Sequence, residues 1–345
     1  MRRNCLFAAI VILFCSCGNK STLFQVVSPG YSGIHFANNI TENDSMNMLD
    51  YEYLYNGAGV GIGDFNRDGK PDIYFAGNMV SNRLYLNKGN MKFTDITESS
   101  GTGGEGKWCN GVAVVDINND GWPDIFVSTS YSSNPEKRKK ILYINQGLNN
   151  NGIPTFKDEA AAYGLDDTCY STMAAFFDYD NDGDLDMFLL VANKQQTKNR
   201  AAGGMSVAGD TSLNNISRLY RNDWDSARHH AIFTNVTGAA GINKAGYGLG
   251  VNITDINKDG WKDILVSNDY VSRDLLWINN HDGTFTDKSA EYFKHTSFSA
   301  MGNDVEDINN DGLCDIIELD MNAADNYRKK MMTGPVNNNL NTPGN

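Results

Sequence analysis

Apolar residues alternate with small or polar ones in five short runs of this chain. Val60/Ile62, Val112/Val114, Ala174/Phe176, Val251/Ile253 and Asn303/Val305 share one face, and Gly61, Ala113, Ala175, Asn252 and Asp304 lie on the other. A period of two marks a β-strand, whose successive side chains point to opposite sides. Small or polar residues on the second face suit a crowded inner strand around a central channel. A second strand is predicted at 73–76, 125–128, 187–191, 264–267 and 316–319. In the first four units a third follows in repeated wording: Leu84-Tyr85-Leu86-Asn87, Leu142-Tyr143-Ile144-Asn145, Leu219-Tyr220-Arg221-Asn222 and Leu276-Trp277-Ile278-Asn279. A fourth opens on phenylalanine, at Phe93, Phe156, Phe233 and Phe285. Four short up-and-down strands per repeat predict an all-β chain, a β-propeller of four-stranded blades. No blade buries both faces alone, so Tyr85, Tyr143, Tyr220 and Trp277, at equivalent places, read as packing between blades.

The fifth unit stops after its second strand. About five blades are expected, the last incomplete or closed by an N-terminal strand: Phe24 to Val27 followed by Gly33-Ile34 resembles Phe233 to Val236 followed by Gly241-Ile242. The predicted organisation is a signal segment at 1–17, an N-terminal segment at 18–50, the propeller at 51–325 and a coil tail at 326–345. Two longer loops stand out, 193–217 and 131–140; the basic run in the second, Lys137, Arg138, Lys139 and Lys140, reads as a solvated loop.

Between the first and second strands of every unit lies an acidic loop of fixed spacing. The loops hold Asp64, Asn66, Asp68, Asp72; Asp116, Asn118, Asp120, Asp124; Asp178, Asp180, Asp182, Asp184, Asp186; Asp255, Asn257, Asp259, Asp263; and Asp307, Asn309, Asp311, Asp315, each with glycine at position six. Oxygen donors at positions one, three, five and nine are what a hard cation such as Ca²⁺ requires, and like charges so close would otherwise repel. Position seven, at Lys70, Trp122, Asp184, Trp261 and Leu313, would offer its backbone carbonyl. Up to five Ca²⁺ ions are expected. An EF-hand would also need flanking helices and a glutamate at position twelve, where the first four loops have Phe75, Val127, Leu189 and Val266, and only the fifth has Glu318.

This pattern changes how the charge is read. The formal net charge is −13, but seventeen of the 42 acidic residues sit in the five loops, so bound cations would offset most of it. An acidic surface speaks against nucleic acid as a partner. The start, Met1-Arg2-Arg3, then an apolar run from Leu6 to Phe14, then Cys15-Ser16-Cys17-Gly18, forms a secretory leader too short to span a bilayer. Its ending resembles a bacterial lipoprotein signal, which makes Cys17 the lipidated residue and a membrane anchor, and implies an outer-membrane or cell-surface location. Cys109, Cys169 and Cys314 have no disulfide or zinc spacing. The five histidines form no catalytic motif.

The blocks Tyr55-Asn56-Gly57-Ala58-Gly59-Val60, Phe177 to Asp186 and Met301-Gly302-Asn303-Asp304, with the L-Y-x-N and F-T-D strands, resemble FG-GAP/VCBS repeats. These are the Ca²⁺-bearing blades of integrin α chains, and the detail is closer still to bacterial propeller proteins of the ASPIC/UnbV type. The resemblance implies a calcium-binding propeller that serves as a binding or adhesion module for an extracellular protein or glycan. The alternatives are a polysaccharide-active enzyme or its accessory subunit, and a propeller fragment without activity of its own.

Overall fold

The computed structural model describes residues 23–331 apart from 49–50, 52, 105, 193–214, 226–229, 270–271, 322 and 324. The leader with Cys17, most of the long insertion, and residues 332–345 lie outside the described residues.

Four sheets follow one another along the chain, each an antiparallel meander in strand order. Blade 1 is β1 (Val60–Gly63), β2 (Asp72–Phe75), β3 (Arg83–Asn87) and β4 (Phe93–Asp95). Blade 2 is β5 (Cys109–Val115), β6 (Asp124–Thr129), β7 (Ile141–Leu148) and β8 (Pro154–Asp158). Blade 3 is β9 (Ser171–Phe177), β10 (Asp186–Val191), β11 (Arg218–Asp225) and β12 (His230–Asn235). Blade 4 is β13 (Gly248–Thr254), β14 (Asp263–Asn268), β15 (Leu275–Asn279) and β16 (Phe285–Asp287). The fifth sheet has two strands, β17 (Ala300–Glu306) and β18 (Asp315–Asp320). All-β architecture and four strands per unit are as the sequence pattern predicts.

The first strands of successive units pack side by side, β1 on β5, β5 on β9, β9 on β13 and β13 on β17. Close approach needs missing side chains. A Cβ on Gly61 would stand 2.7 Å from Val112 Cγ1 and 2.8 Å from Val114 Cγ2. Alternate residues of the second and third strands then enter opposite cores. Ile125, Val127, Ile141 and Tyr143 join Tyr74, Leu84 and Leu86 between blades 1 and 2. Phe126, Leu142 and Ile144 join Met187, Leu189 and Tyr220 between blades 2 and 3. Trp277 packs with Phe188 and Leu190 between blades 3 and 4. Burying an apolar side chain this way is worth about 1.5–3 kcal/mol each, so the stack of sheets, rather than any single sheet, holds the fold.

Both ends of the stack show apolar side chains. Val60 and Ile62 on blade 1, and Ile317 and Leu319 on the fifth sheet, are all more than half exposed. The N-terminal segment covers part of the blade 1 face: Phe36 stacks on Phe75 at 5.0 Å, and the His35 amide donates to the Tyr85 hydroxyl. Residues 23–27 do not form the ring-closing strand. Leu23, Phe24 and Val26 are exposed, and no strand is assigned to them. A strand exists only against a sheet edge, and the third strand that 24–27 would pair with is absent from the described fifth unit. The turn that follows does match its counterparts. α1 (Pro29–Ser32) ends on left-handed Gly33, just as α2 (Thr97–Ser100) ends on left-handed Gly101.

Two further expectations are corrected. The tail does not begin as coil: α4 spans Asn326–Met331, and the Asp325 carboxylate accepts the Arg328 amide at 2.8 Å, which satisfies a free donor of its first turn. The basic run is not a solvated loop. Lys140 is buried, and its ammonium donates to the carbonyls of Thr129, Arg138 and Cys169 at 3.0, 3.0 and 2.6 Å. Arg138 lies over the Tyr170 ring at 4.4 Å, and Lys139 pairs with Glu136 and Asp166.

Because Ile62 faces open space while Phe126 is enclosed, Ile62→Thr is expected to shift stability by no more than about 0.5 kcal/mol, whereas Phe126→Ala costs about 3–5 kcal/mol. Denaturant unfolding of the two variants checks this. A loss for Ile62→Thr that rivals Phe126→Ala would mean the blade 1 face is covered in the protein.

Candidate metal centres

All five acidic loops adopt one hairpin geometry between the first and second strands of their units, without flanking helices. The aspartate at position one folds the loop over itself. Asp64 accepts the amides of Asp68 and Gly69 at 2.9 and 2.8 Å, and Asp116, Asp178, Asp255 and Asp307 do the same within their own loops. Position six has φ between +81° and +96° in all five loops. A Cβ on Gly69, Gly183 or Gly260 would touch nothing, so glycine is there for its backbone and not for space.

Position nine does a job that its spacing did not suggest. Asp72, Asp124, Asp186 and Asp263 are fully buried. One oxygen of each accepts the amide at loop position two, from Phe65, Ile117, Tyr179 and Ile256, at 3.0–3.1 Å. The other accepts the amide of the asparagine in the third strand, Asn87, Asn145, Asn222 and Asn279, at 2.7–2.9 Å. This carboxylate therefore ties the loop to both the second and third strands. Asp315 bonds only Ile308, because no third strand is described in the fifth unit. Position-twelve Glu318 is engaged elsewhere and accepts from the Ser267 hydroxyl.

The same asparagines are functional residues that the sequence reading passed over, although their fixed place in L-Y-x-N was the signal. Two of them also reach the loop of another blade: Asn145 donates to Phe65 O of the preceding blade at 3.0 Å, and Asn279 to Tyr179 O at 2.8 Å. Arg67, also at a loop, lies over the Trp122 ring of the next loop at 5.1 Å. Trp261 stacks on His281 at 4.9 Å. The rings of both tryptophans pack against neighbouring side chains. At position seven, Lys70, Trp122, Asp184, Trp261 and Leu313 donate their amides to the position-five carboxylate.

The loops differ in how many bare carboxylates they bring together. In the first, Asp68 is paired with the Lys70 ammonium at 3.0 Å. In the second and fourth, Asn118 and Asn257 donate to Asp120 and Asp259, and His281 also reaches Asp259. In the fifth, Asn309 accepts the Asp311 amide. Among the described residues, the third loop alone gathers three acidic side chains, with oxygens of Asp178, Asp180 and Asp186 all within 4.8 Å of one another. Asp180 Oδ1 is buried and has no hydrogen-bond partner. A carboxylate oxygen out of water without a donor is strongly disfavoured, and a hard divalent cation bound by oxygens is the group that donor set fits.

Burial sets the titration of these groups. It pushes Asp72 up to about 6, and Asp124 and Asp186 up to about 7, with neighbouring loop carboxylates adding to the rise and backbone amides opposing it. Burial, then the charges of Asp182 and Asp178, also raises Asp180. A folded-state pKa above the unfolded one means stability that is full below the unfolded value and lost as pH rises through the folded value. With cations chelated, the melting temperature is therefore expected to fall between about pH 4 and 7. Saturating Ca²⁺, by replacing the proton as counter-charge, flattens or reverses that slope. Melting curves across this range, with chelator and with Ca²⁺, check the sign, and a chelated protein that melts higher at pH 7 than at pH 5 would contradict it.

Two stretches that hold four of the five loops match a known repeat. Residues 64–127 and 255–317 match the model of the FG-GAP-like repeat. The chain is 28% identical to cartilage acidic protein 1 of Xenopus tropicalis over 214 residues, which is 61% of this chain and 28% of the relative. It is 25% identical to the Mus musculus protein of that name over 71% of this chain and 34% of the relative, and 25% identical to the Homo sapiens one over 71% and 33%. The chain thus spans about a third of the length of the curated relatives it matches. A solved Agrocybe aegerita lectin, described for specific recognition of non-reducing terminal N-acetylglucosamine, aligns with TM-score 0.41 and 18% identity over 75% of this chain and 59% of that one.

Proposed function

We propose that this chain, an FG-GAP-repeat propeller similar to cartilage acidic protein 1, is an extracytoplasmic binding module whose blades are clasped by Ca²⁺. The observation that carries the reading is the third loop, where Asp178, Asp180 and Asp186 converge and a buried Asp180 oxygen lacks a donor. The other four loops share its hairpin and would take ions with fewer bare carboxylates. The protein's own residues hold the loop shape through position one, and tie it to the sheet through position nine. A cation would add ligation between the turn and the second strand, so its binding energy becomes folding energy. Millimolar extracellular Ca²⁺ suits weak sites of this kind. The leader that ends at Cys17 supports export and a lipid anchor at a bacterial surface, with an extracellular protein or glycan as the bound partner. A second reading, that the five units are one arc of a larger ring, is favoured by the exposed Val60/Ile62 and Ile317/Leu319 faces.

At a concentration one hundred times its Kd, each ion adds about 2.7 kcal/mol, and 1 kcal/mol shifts melting by roughly 2–4 °C in a chain of 150–250 residues. Adding excess chelator to the Ca²⁺-loaded protein is therefore expected to lower the melting temperature by more than about 5 °C. Asp180→Ala should remove more of that gain than Asp311→Ala. An unchanged melting temperature with chelator, confirmed by a lack of bound metal in elemental analysis, would sink the reading. Separately, Cys17→Ser is expected to move the protein from the membrane fraction of an expressing bacterium to the soluble fraction.

A further inference from the structure

The junctions between blades share one construction, and it continues past both ends of the stack. After its fourth strand a blade sends out a short turn whose left-handed glycine lies on the fourth strand of the next blade. A Cβ on Gly101 would stand 3.5 Å from Phe156 O, one on Gly164 2.7 Å from Phe233 O, and one on Gly241 2.9 Å from Phe285 O. Just beyond the glycine, the chain meets the tyrosine of the next blade's third strand. The Gly104 amide donates to the Tyr143 hydroxyl at 3.1 Å, and the Tyr220 hydroxyl donates to Asp167 Oδ2 at 2.6 Å. Blade 1 receives the same contact, although no blade precedes it among the described residues. A Cβ on Gly33 would stand 2.6 Å from Phe93 O, and the His35 amide donates to the Tyr85 hydroxyl at 3.4 Å. Residues 28–36 are thus docked as the exit of a preceding unit. Phe24 stands before this turn as Phe93 stands before the turn at Gly101, yet it is 84% exposed, whereas Phe93, Phe233 and Phe285 are buried.

The two open faces are the two halves of that same junction. Val112 and Val114 of blade 2 pack on Gly61 of blade 1, and Val60 and Ile62, which hold those places in blade 1, are 52% and 64% exposed. On the other half, the second and fourth residues after the ninth aspartate share a face of the strand. Tyr74 and Ala76, Phe126 and Ser128, Phe188 and Leu190, and Leu265 and Ser267 are all at 2% exposure or less. Their counterparts in the fifth sheet, Ile317 and Leu319, are at 51% and 66%. The chain's own fifth sheet therefore leaves the blade 1 face uncovered. Asp304, at the place of Gly61, accepts the Val305 amide at 2.9 Å and Asn252 Nδ2 at 3.4 Å, so a charge at this face is already partnered.

We propose that these faces bind a second copy of this chain, head to tail, with the blade 1 face of one copy seated on the fifth sheet of the other. The contact continues the junction that the chain makes internally four times, from β1 on β5 to β13 on β17. It is heterologous: each copy brings one face of each kind, so association either closes into a ring or adds further copies. This inference rests on the reading of the five units as one arc of a larger ring, and it names what fills the gap.

The test is the mass of the full chain in solution, followed by sedimentation velocity over a range of concentrations. The wild type is expected to pass from the mass of one chain to that of two or more. Where it does, Ile62→Glu and Leu319→Glu should each stay single, with association weakened about tenfold or more, because a carboxylate would leave water without a partner. Mixed together, the two variants should form a one-to-one pair through their unaltered faces. Both positions are exposed in the single chain, so each dilute variant should melt within a few degrees of the wild type. On the wild type, hydroxyl-radical labelling of Ile62 and Leu319 should fall as concentration rises, while that of Trp224 on blade 3, 64% exposed, should not; this readout needs no variant. The proposal is overturned if either variant associates on its own as the wild type does, or if the mixture stays apart. A wild type that stays single with Ile62 open to labelling removes the second copy and keeps the arc. One that stays single with Ile62 protected closes on itself, and both readings fall.

Discussion

The buried carboxylate at loop position nine is the interaction on which each blade depends. It accepts one amide from the loop and one from the third strand, so a single side chain fixes the relation of hairpin, second strand and third strand. A charged group at zero exposure is costly unless its oxygens are satisfied. Two backbone amides satisfy it here in four of five units, and in the fifth, where no third strand is described, Asp315 is only half-buried and keeps one amide. The correlation is physical: without strand three there is neither a second donor nor a wall to exclude water.

That arrangement makes the loops part of the core rather than decoration on its rim. Phe65, Ile117 and Tyr179, whose amides bond the ninth aspartate, put their side chains into the cores between blades. Asn145 and Asn279 then bond the carbonyls of Phe65 and Tyr179 in the unit before. A loop disturbed in one unit is thereby felt by the next, and hairpin shape and blade stacking are coupled through short, named contacts.

The sequence made the strands legible because both faces of each inner sheet are buried against a neighbour, which leaves a regular apolar wording. Phe93–Asp95 and Phe285–Asp287 form strands at the places their repeat predicts. Tyr143, Tyr220 and Trp277 pack between blades, as their equivalence implied. Spacing alone did not reveal that the ninth aspartate accepts two amides, since a metal ligand and a hydrogen-bond staple ask for the same residue. Nor did it show that Lys140 is buried, because a lysine in a basic run looks solvated until three carbonyls are seen around it. The segment 24–34 was half legible: its glycine turn depends on local backbone and forms, whereas its strand depends on a distant partner and does not.

Antiparallel meanders also separate two chemistries in space. Every first strand runs the same way along the axis, so every acidic loop emerges on one face and every strand start on the other. The opposite ends of the inner strands meet around a cavity lined by Asn110, Met173, Leu249 and Met301. The two faces are linked through the strands between them, which the ninth aspartates tie to one another at the loop end.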